Sequence, residues 1–212
     1  MPEAEVAALQ RAGKTVIFVA RAGRVLGVIG IADRLRASTP AAIRELNALG
    51  VNTVMLTGDN ALTAEAIARE AGIVQWHAGM LPQDKADHIQ LLRAGNITVG
   101  MAGDGVNDAP ALAAADVSFA IGAGADVAIQ TADITLMRND LMSVADAIRL
   151  SRATLRKIKQ NLFFAFFYNV LGIPLAALGL LNPVIAGAAM ALSSVSVVSN
   201  ALLLKRWRPI QP

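Results

Sequence analysis

The chain has 212 residues, 55% of them hydrophobic, a net charge of +3 and no cysteine. The absence of cysteine excludes a disulfide framework and any thiolate metal site. Residues 1–146 carry 11 Lys/Arg against 16 Asp/Glu, whereas residues 147–212 carry 8 Lys/Arg and no acid, so the positive charge belongs to the tail and argues for a membrane edge rather than a nucleic-acid partner.

The opening "MPEAEVAALQRAGK" is acidic and lacks the apolar core of a signal peptide. Val6 and Leu9 stand at helical spacing and predict a short helix over 4–12. "TVIFVA" (15–20) and "RVLGVIGIA" (24–32), split by "RAG", predict a hairpin. "STPAAIRELNALG" (38–50) predicts a helix capped by Ser38 or Thr39, with Pro40 in its first turn and Gly50 at its end. A buried strand "VNTVML" (51–56) follows, then a helix over 60–73, a helix over 84–95 and a strand "ITVGMA" (97–102). "DAPALAAA" (108–115) starts a helix, "VSFAI" (117–121) is a strand, and "DVAIQTA" with "DITLM" (126–137) continues the alternation. Alternating strands and helices over 38–137 predict a parallel sheet with helices on both faces.

From Asn161 to Leu204 there is no Asp, Glu, Lys or Arg. That length allows two membrane helices of about 20 residues each, over about 162–181 and 184–204, with "NP" (182–183) as the turn. Pro174 is expected to bend the first. Arg149, Arg152, Arg156, Lys157 and Lys159 precede the pair, and Lys205, Arg206 and Arg208 follow it. Both ends are therefore expected on the cytoplasmic side. Trp207 fits an interfacial anchor.

Ligands of parallel sheets bind at the carboxyl ends of strands, and two polar loops fall there. "AGDGVNDAP" sets Asp104 and Asp108 around a tight glycine turn. Carboxylates so close repel unless a cation lies between them, and magnesium favours carboxylate and phosphate oxygens. Gly103 and Gly105 let the backbone approach a ligand, and Asn107 can donate to a phosphate oxygen or hold an aspartate. "TGD" (57–59) offers the Thr57 hydroxyl and the Gly58 amide, with Asp59 orienting the loop. Lys85 of "LPQDK" adds a point charge near a helix start. Together these residues read as a magnesium-dependent phosphoryl-transfer site that works by positioning and charge neutralisation. Asp116 is expected to support the sheet or the Asp104 loop, and His77 and His88 read as isolated surface residues.

Polar groups inside a membrane span tend to be functional. Tyr168 and Asn169 are adjacent in the first span, and Met190 and Ser194 share a face of the second. A thioether suits monovalent copper, and neither span holds a carboxylate or imidazole. Gap-filling by Met and close packing through Ser193, Ser194, Ser196 and Ser199 account for the same residues.

"MLTGDN", "PQDK" and "GDGVNDAPAL" resemble the phosphorylation domain of P-type ATPases, within the haloacid-dehalogenase-like superfamily. "IGAGADVAIQTADITLM" (121–137) is similar to the stretch that follows in heavy-metal pumps, and "YN" with "MxxSS" is similar to their copper(I)-translocating branch. The resemblance, over about Gly13 to Arg206, implies an α/β fold with a haloacid-dehalogenase-like parallel sheet followed by a two-helix transmembrane hairpin. It implies that 1–32 is the tail of a nucleotide-binding domain and the return from it, 33–140 a phosphorylation domain lacking its nucleophile segment, and 141–160 a basic connecting helix. The membrane pair would be 161–204 and the cytosolic tail 205–212. It implies Asp104 as the magnesium ligand with Asp108 and Asn107 in support, Thr57, Gly58, Asp59 and Lys85 around the phosphoryl group, and Tyr168, Asn169, Met190 and Ser194 as Cu+ ligands. Implied cofactors are Mg2+ and ATP. Implied partners are copper(I), membrane lipid, the remainder of the pump or a complementing subunit, and a copper chaperone, with no nucleic acid. The implied location is a plasma or inner membrane.

The family's nucleophile motif "DKTGT" is absent, as are "TGE" and "CPC". Only "DIT" (133–135) matches the wider nucleophile pattern. The chain therefore reads as the C-terminal portion of a pump, without ATP turnover of its own. Its rivals are a membrane-tethered phosphatase and a non-catalytic module that complements a partner.

Overall fold

The computed structural model describes residues 3–31, 35–104, 106–122, 130–180 and 182–209. The chain divides into two compact units, Met1–Ala145 and Asp146–Gln211. Ala32, Gly105, residues 126–129 and the end of the tail, all included in the predictions above, lie outside the described residues.

In the first unit, α1 (Glu3–Arg11) leads into the antiparallel pair β1 (Thr15–Arg21) and β2 (Arg24–Ile31). Ala22 and Gly23 take φ values of 48° and 78°, the left-handed pair whose twist matches a two-residue hairpin. Thr15 stands opposite Ile31 and Phe18 opposite Val28. The predicted hairpin is present.

The remainder of the unit alternates: α2 (Thr39–Ala48), β3 (Val54–Leu56), α3 (Ala61–Ala71), β4 (Gln75–His77), α4 (Pro82–Ala94), β5 (Gly100–Gly103), α5 (Ala109–Ala114), β6 (Val117–Ile121) and β7 (Ile134–Leu136). Every pairing among β3 to β7 is parallel, as the alternation requires. The strands fall into two ladders, β3–β4 and β5–β6–β7. Among the described residues, β3 and β5 each have one strand neighbour only. β3 and β5 are shorter than predicted, and β4 was not predicted. Three residues are too few to show a period of two.

Some helix ends follow local chemistry and others do not. Asn60 accepts from the Thr63 amide at 3.1 Å to start α3, and Gly72 (φ +78°) closes it in the left-handed region. Asp84 reaches back to the Leu81 amide at 2.8 Å to start α4. Ser38 does not cap α2. Its hydroxyl donates to Asp140 Oδ1 at 2.9 Å, tying two segments 102 residues apart. A tertiary partner has won over the local one.

Helices α2 to α5 each bury one side: Ala42, Ile43 and Leu46 on α2; Ala64, Ala68 and Ala71 on α3; Ala86 and Ile89 on α4; Ala111 and Leu112 on α5. Phe119 and Ala120 of β6 and Leu136 of β7 join them in the core. Many of these side chains are alanine, so helices and strands approach closely.

The second unit is helical. α6 (Met142–Ala177) begins in the first unit, where Met142, Val144 and Ala145 are buried. The basic connecting helix and the first predicted span are thus one helix. It continues past Pro174 and ends at Ala177, where Gly179 (φ +70°) donates to Ala176 O and Leu180 to Leu175 O. α7 (Pro183–Leu202) follows. Asn182 accepts from the Val184 amide at 2.8 Å, so "NP" is the cap and first residue of this helix rather than the turn. A 3₁₀ turn over Leu203–Arg206 ends it.

Both helices are long and apolar enough to cross a membrane, and none of either apolar window is buried. Phe163, Phe166, Val170, Ile173, Met190, Val195 and Val198 are all exposed. The alternative of a buried soluble hairpin needs protein cover that the described residues do not supply. One polar joint links the helices. Lys157 Nζ donates to Asn200 Oδ1 and Asn200 Nδ2 donates to Asn161 Oδ1, both at 2.7 Å.

Candidate functional site

The carboxyl ends of β3 and β5 carry the two loops that the sequence singles out. Thr57 follows β3 directly. Its amide donates to His77 O at the end of β4 (3.0 Å), and its carbonyl accepts from Met80 N (3.0 Å). The Thr57 hydroxyl donates to Asp59 Oδ2 at 3.0 Å and accepts from the Asp59 amide at 3.1 Å. Asp59 is thus bonded twice to Thr57 within the turn, and also accepts from Thr15 Oγ1 of β1 at 3.3 Å. Between these two residues the Gly58 N–H has no hydrogen-bond partner among the described residues. A Cβ on Gly58 would lie 3.4 Å from Met80 O. The loop thus presents one unpaired backbone donor on a braced turn, which is what an anionic oxygen needs.

β5 ends at Gly103, and Asp104, a 3₁₀ turn over Val106–Asp108 and α5 follow. Asp108 folds back over Gly103. A Cβ there would meet Asp108 Cβ and Oδ2 at 2.8 Å, so glycine is required by contact, not by backbone angle. Asp108 Oδ1 accepts from Lys85 Nζ at 2.8 Å, with each side chain only 15% exposed. Lys85 sits in the first turns of α4, and α4 packs on α5. The structure therefore brings Lys85 and Asp108 together, although 23 residues separate them.

Asp104 and Asn107 are exposed, and neither side chain has a hydrogen-bond partner among the described residues. An unengaged Asp104 carboxylate, the second oxygen of Asp108 and the free Asn107 amide form an all-oxygen and amide donor set. That set suits a hard cation which keeps waters and takes its remaining ligands from a phosphate. No group of three or more His, Cys, Asp or Glu gathers among the described residues, so an all-protein cage is not formed.

Asp133, the sole match to a nucleophile pattern, is otherwise engaged. Its Oδ2 accepts from the Ser118 amide (2.9 Å) and hydroxyl (2.7 Å). These bonds hold its carboxyl below the usual carboxylate range. Ser118 lies near the amino end of β6, and Asp133 precedes β7. That is the opposite edge of the ladder from Asp104. Asp116 has the supporting role expected of it, accepting from Arg93 Nε (2.8 Å) and the Val99 amide (2.9 Å).

In the second unit the four predicted ion ligands are satisfied locally or left open. Asn169 Nδ2 donates to Ala165 O at 2.7 Å, and Ser194 Oγ donates to Met190 O at 3.3 Å. Tyr168 packs edge-on against Phe167. Met190 is 70% exposed. No hydrogen bond joins Tyr168 or Asn169 to Met190 or Ser194 among the described residues. Of the polar residues that do join the helices, Lys157 is read in the sequence only as a flanking charge, and Asn161 and Asn200 are given no role. Asparagine in an apolar run was the available signal.

His77 and His88 are not isolated. Their ring centroids are 4.3 Å apart with planes at 52°.

Residues 1–116 match the haloacid dehalogenase-like hydrolase family. The chain is 56% identical to a copper-exporting P-type ATPase of Staphylococcus haemolyticus, over 94% of this chain and 25% of that protein. It is 55% identical to a silver exporting P-type ATPase of Salmonella typhimurium, with the same two coverages. Among solved structures, a zinc-transporting PIB-type ATPase in the E2.Pi state superposes with a TM-score of 0.82 at 42% identity, over 95% of this chain and 33% of that one. The chain spans about a quarter of the length of these curated relatives.

Proposed function

This chain belongs to the haloacid dehalogenase-like hydrolases, and we propose that it is the C-terminal portion of a copper(I)-translocating P-type ATPase. The observation that carries this reading is Asp108, folded over Gly103 at a strand end and clamped by Lys85 of "PQDK". Two motifs of the resemblance, "PQDK" and "GDGVNDAPAL", thus touch through that pair in a chain that continues into two membrane-length apolar helices.

In this reading Asp104 and Asp108 hold magnesium, which when bound neutralises phosphoryl oxygens. The Gly58 N–H and the Asn107 amide are its donors to the phosphoryl anion, and Asp59 keeps the Thr57 turn in shape. Lys85 fixes one oxygen of Asp108 and leaves the other for the cation. ATP is the phosphoryl donor of the complete pump. β3 and β5 each have an edge without a strand partner among the described residues, and in this reading a further parallel strand there brings the "DKTGT" aspartate. Asp133 cannot stand in for it. The chain alone therefore releases no phosphate from ATP. Steady magnesium-dependent release, abolished by Asp104→Ala, overturns this.

Cargo chemistry points to a soft monovalent ion. The spans offer Met190, Tyr168, Asn169 and Ser194 but no carboxylate or imidazole. Relatives described as copper and silver exporters fit that donor set. In this reading the basic residues that flank the helix pair put both of its ends on the cytoplasmic side. The test is Met190→Ala in the complete pump. Copper-stimulated ATP hydrolysis should fall while magnesium-dependent phosphorylation from phosphate persists. Unchanged copper stimulation refutes the assignment.

A further inference from the structure

The whole chain contains two histidines. One ends β4 and the other lies in the second turn of α4, yet the fold sets their rings 4.3 Å apart. We infer that His77 and His88 form a binding site for a divalent transition-metal ion of the copper(II) class.

The donors are available. No ring nitrogen of either histidine hydrogen-bonds to protein among the described residues. His77 is exposed and His88 half-buried, so an ion can reach the pair from solvent. Partial burial first, and then the neighbouring His77, lower the pKa of His88 below the ordinary 6.5.

The spacing selects a class of ion. With metal–nitrogen bonds of about 2.0 Å, two imidazoles on one ion at a right angle have ring centroids about 4.5 Å apart, and at a tetrahedral angle about 5.2 Å apart. The observed 4.3 Å matches the right angle. A tetragonal N,O site favours copper(II), which also stands highest in divalent affinity, with nickel(II) next. Of the carboxylates nearest in sequence, Asp84 uses one oxygen on the Leu81 amide and Asp87 one on Gln83 Nε2. Water completes the coordination.

The site has a direct line to the Thr57 loop, because His77 O accepts the Thr57 amide at 3.0 Å. An ion that pins His77 also pins that carbonyl. The inference does not rest on the proposed pump activity. The ion differs in oxidation state and place from any cargo carried in the spans.

The experiment is Cu2+ titration of the full chain in detergent micelles at neutral pH, read by electron paramagnetic resonance and spin-echo modulation. One bound equivalent with two coupled imidazoles is expected. Because the chain has only these two histidines, that signature has a single origin. Loss of the equivalent in both His77→Gln and His88→Gln confirms it. A wild-type spectrum with one imidazole or none overturns the inference without reference to whether a variant folds. Retention of affinity in both variants overturns it as well.

Discussion

Lys85 and Asp108 show how a site can be half legible. Each motif announces itself in the sequence, but their 2.8 Å pairing across 23 residues does not. Sequence spacing carries no record of which helix packs on which. The pair is mostly withdrawn from water, so removing one partner strands the other charge. Lys85→Met should cost about 2 kcal/mol, somewhat below a fully buried pair. Adding Asp108→Leu should recover most of that loss, since an apolar pair has no charge to desolvate. Urea unfolding of the single and double variants in detergent measures both, and an additive double variant would show that the two residues do not interact. The Gly103 contact was equally hidden. Its sequence signal suggested backbone freedom for a ligand, whereas the side chain filling that space is the protein's own Asp108. His77 and His88 were misjudged for a related reason, because eleven residues apart they meet only once β4 forms beside α4.

At the scale of elements, long periodic segments were readable and short ones were not. α3 announced itself by its stripe of Ala64, Ala68 and Ala71 and by Asn60 before it. β4 did not, because three residues, two of them exposed, carry no pattern. The merger of the basic helix with the first span into α6 was hidden by composition. A change from charged to apolar residues marks a change of solvent, not of backbone. The helices are held by few large side chains, so those few matter. Ile89 on α4 and Leu112 on α5 are 2% and 1% exposed. Ile89→Ala should lower the stability of the first unit by about 3 kcal/mol through lost transfer energy and a residual cavity. Denaturant melts of the full chain, followed by Trp76 fluorescence, report it. A loss under about 1 kcal/mol would mean that the α4 stripe is not a packed face.

For the whole molecule, the two helices make membrane placement a measurable property. The chain has no cysteine, so a single introduced thiol is an unambiguous probe. Lys205→Cys should react with an impermeant reagent only from the cytoplasmic side of oriented vesicles, and Leu178→Cys only from the other. Reaction of both from one side would contradict a pair that crosses and returns. The joint between the helices has a consequence for their pairing. Lys157 stands among the basic residues that precede the first span, so Asn200 meets its partners at the charged end of the pair, where α6 supplies both its donor and its acceptor through Lys157 and Asn161. Two peptides divided at Gly179 and mixed in micelles should find each other through that single asparagine.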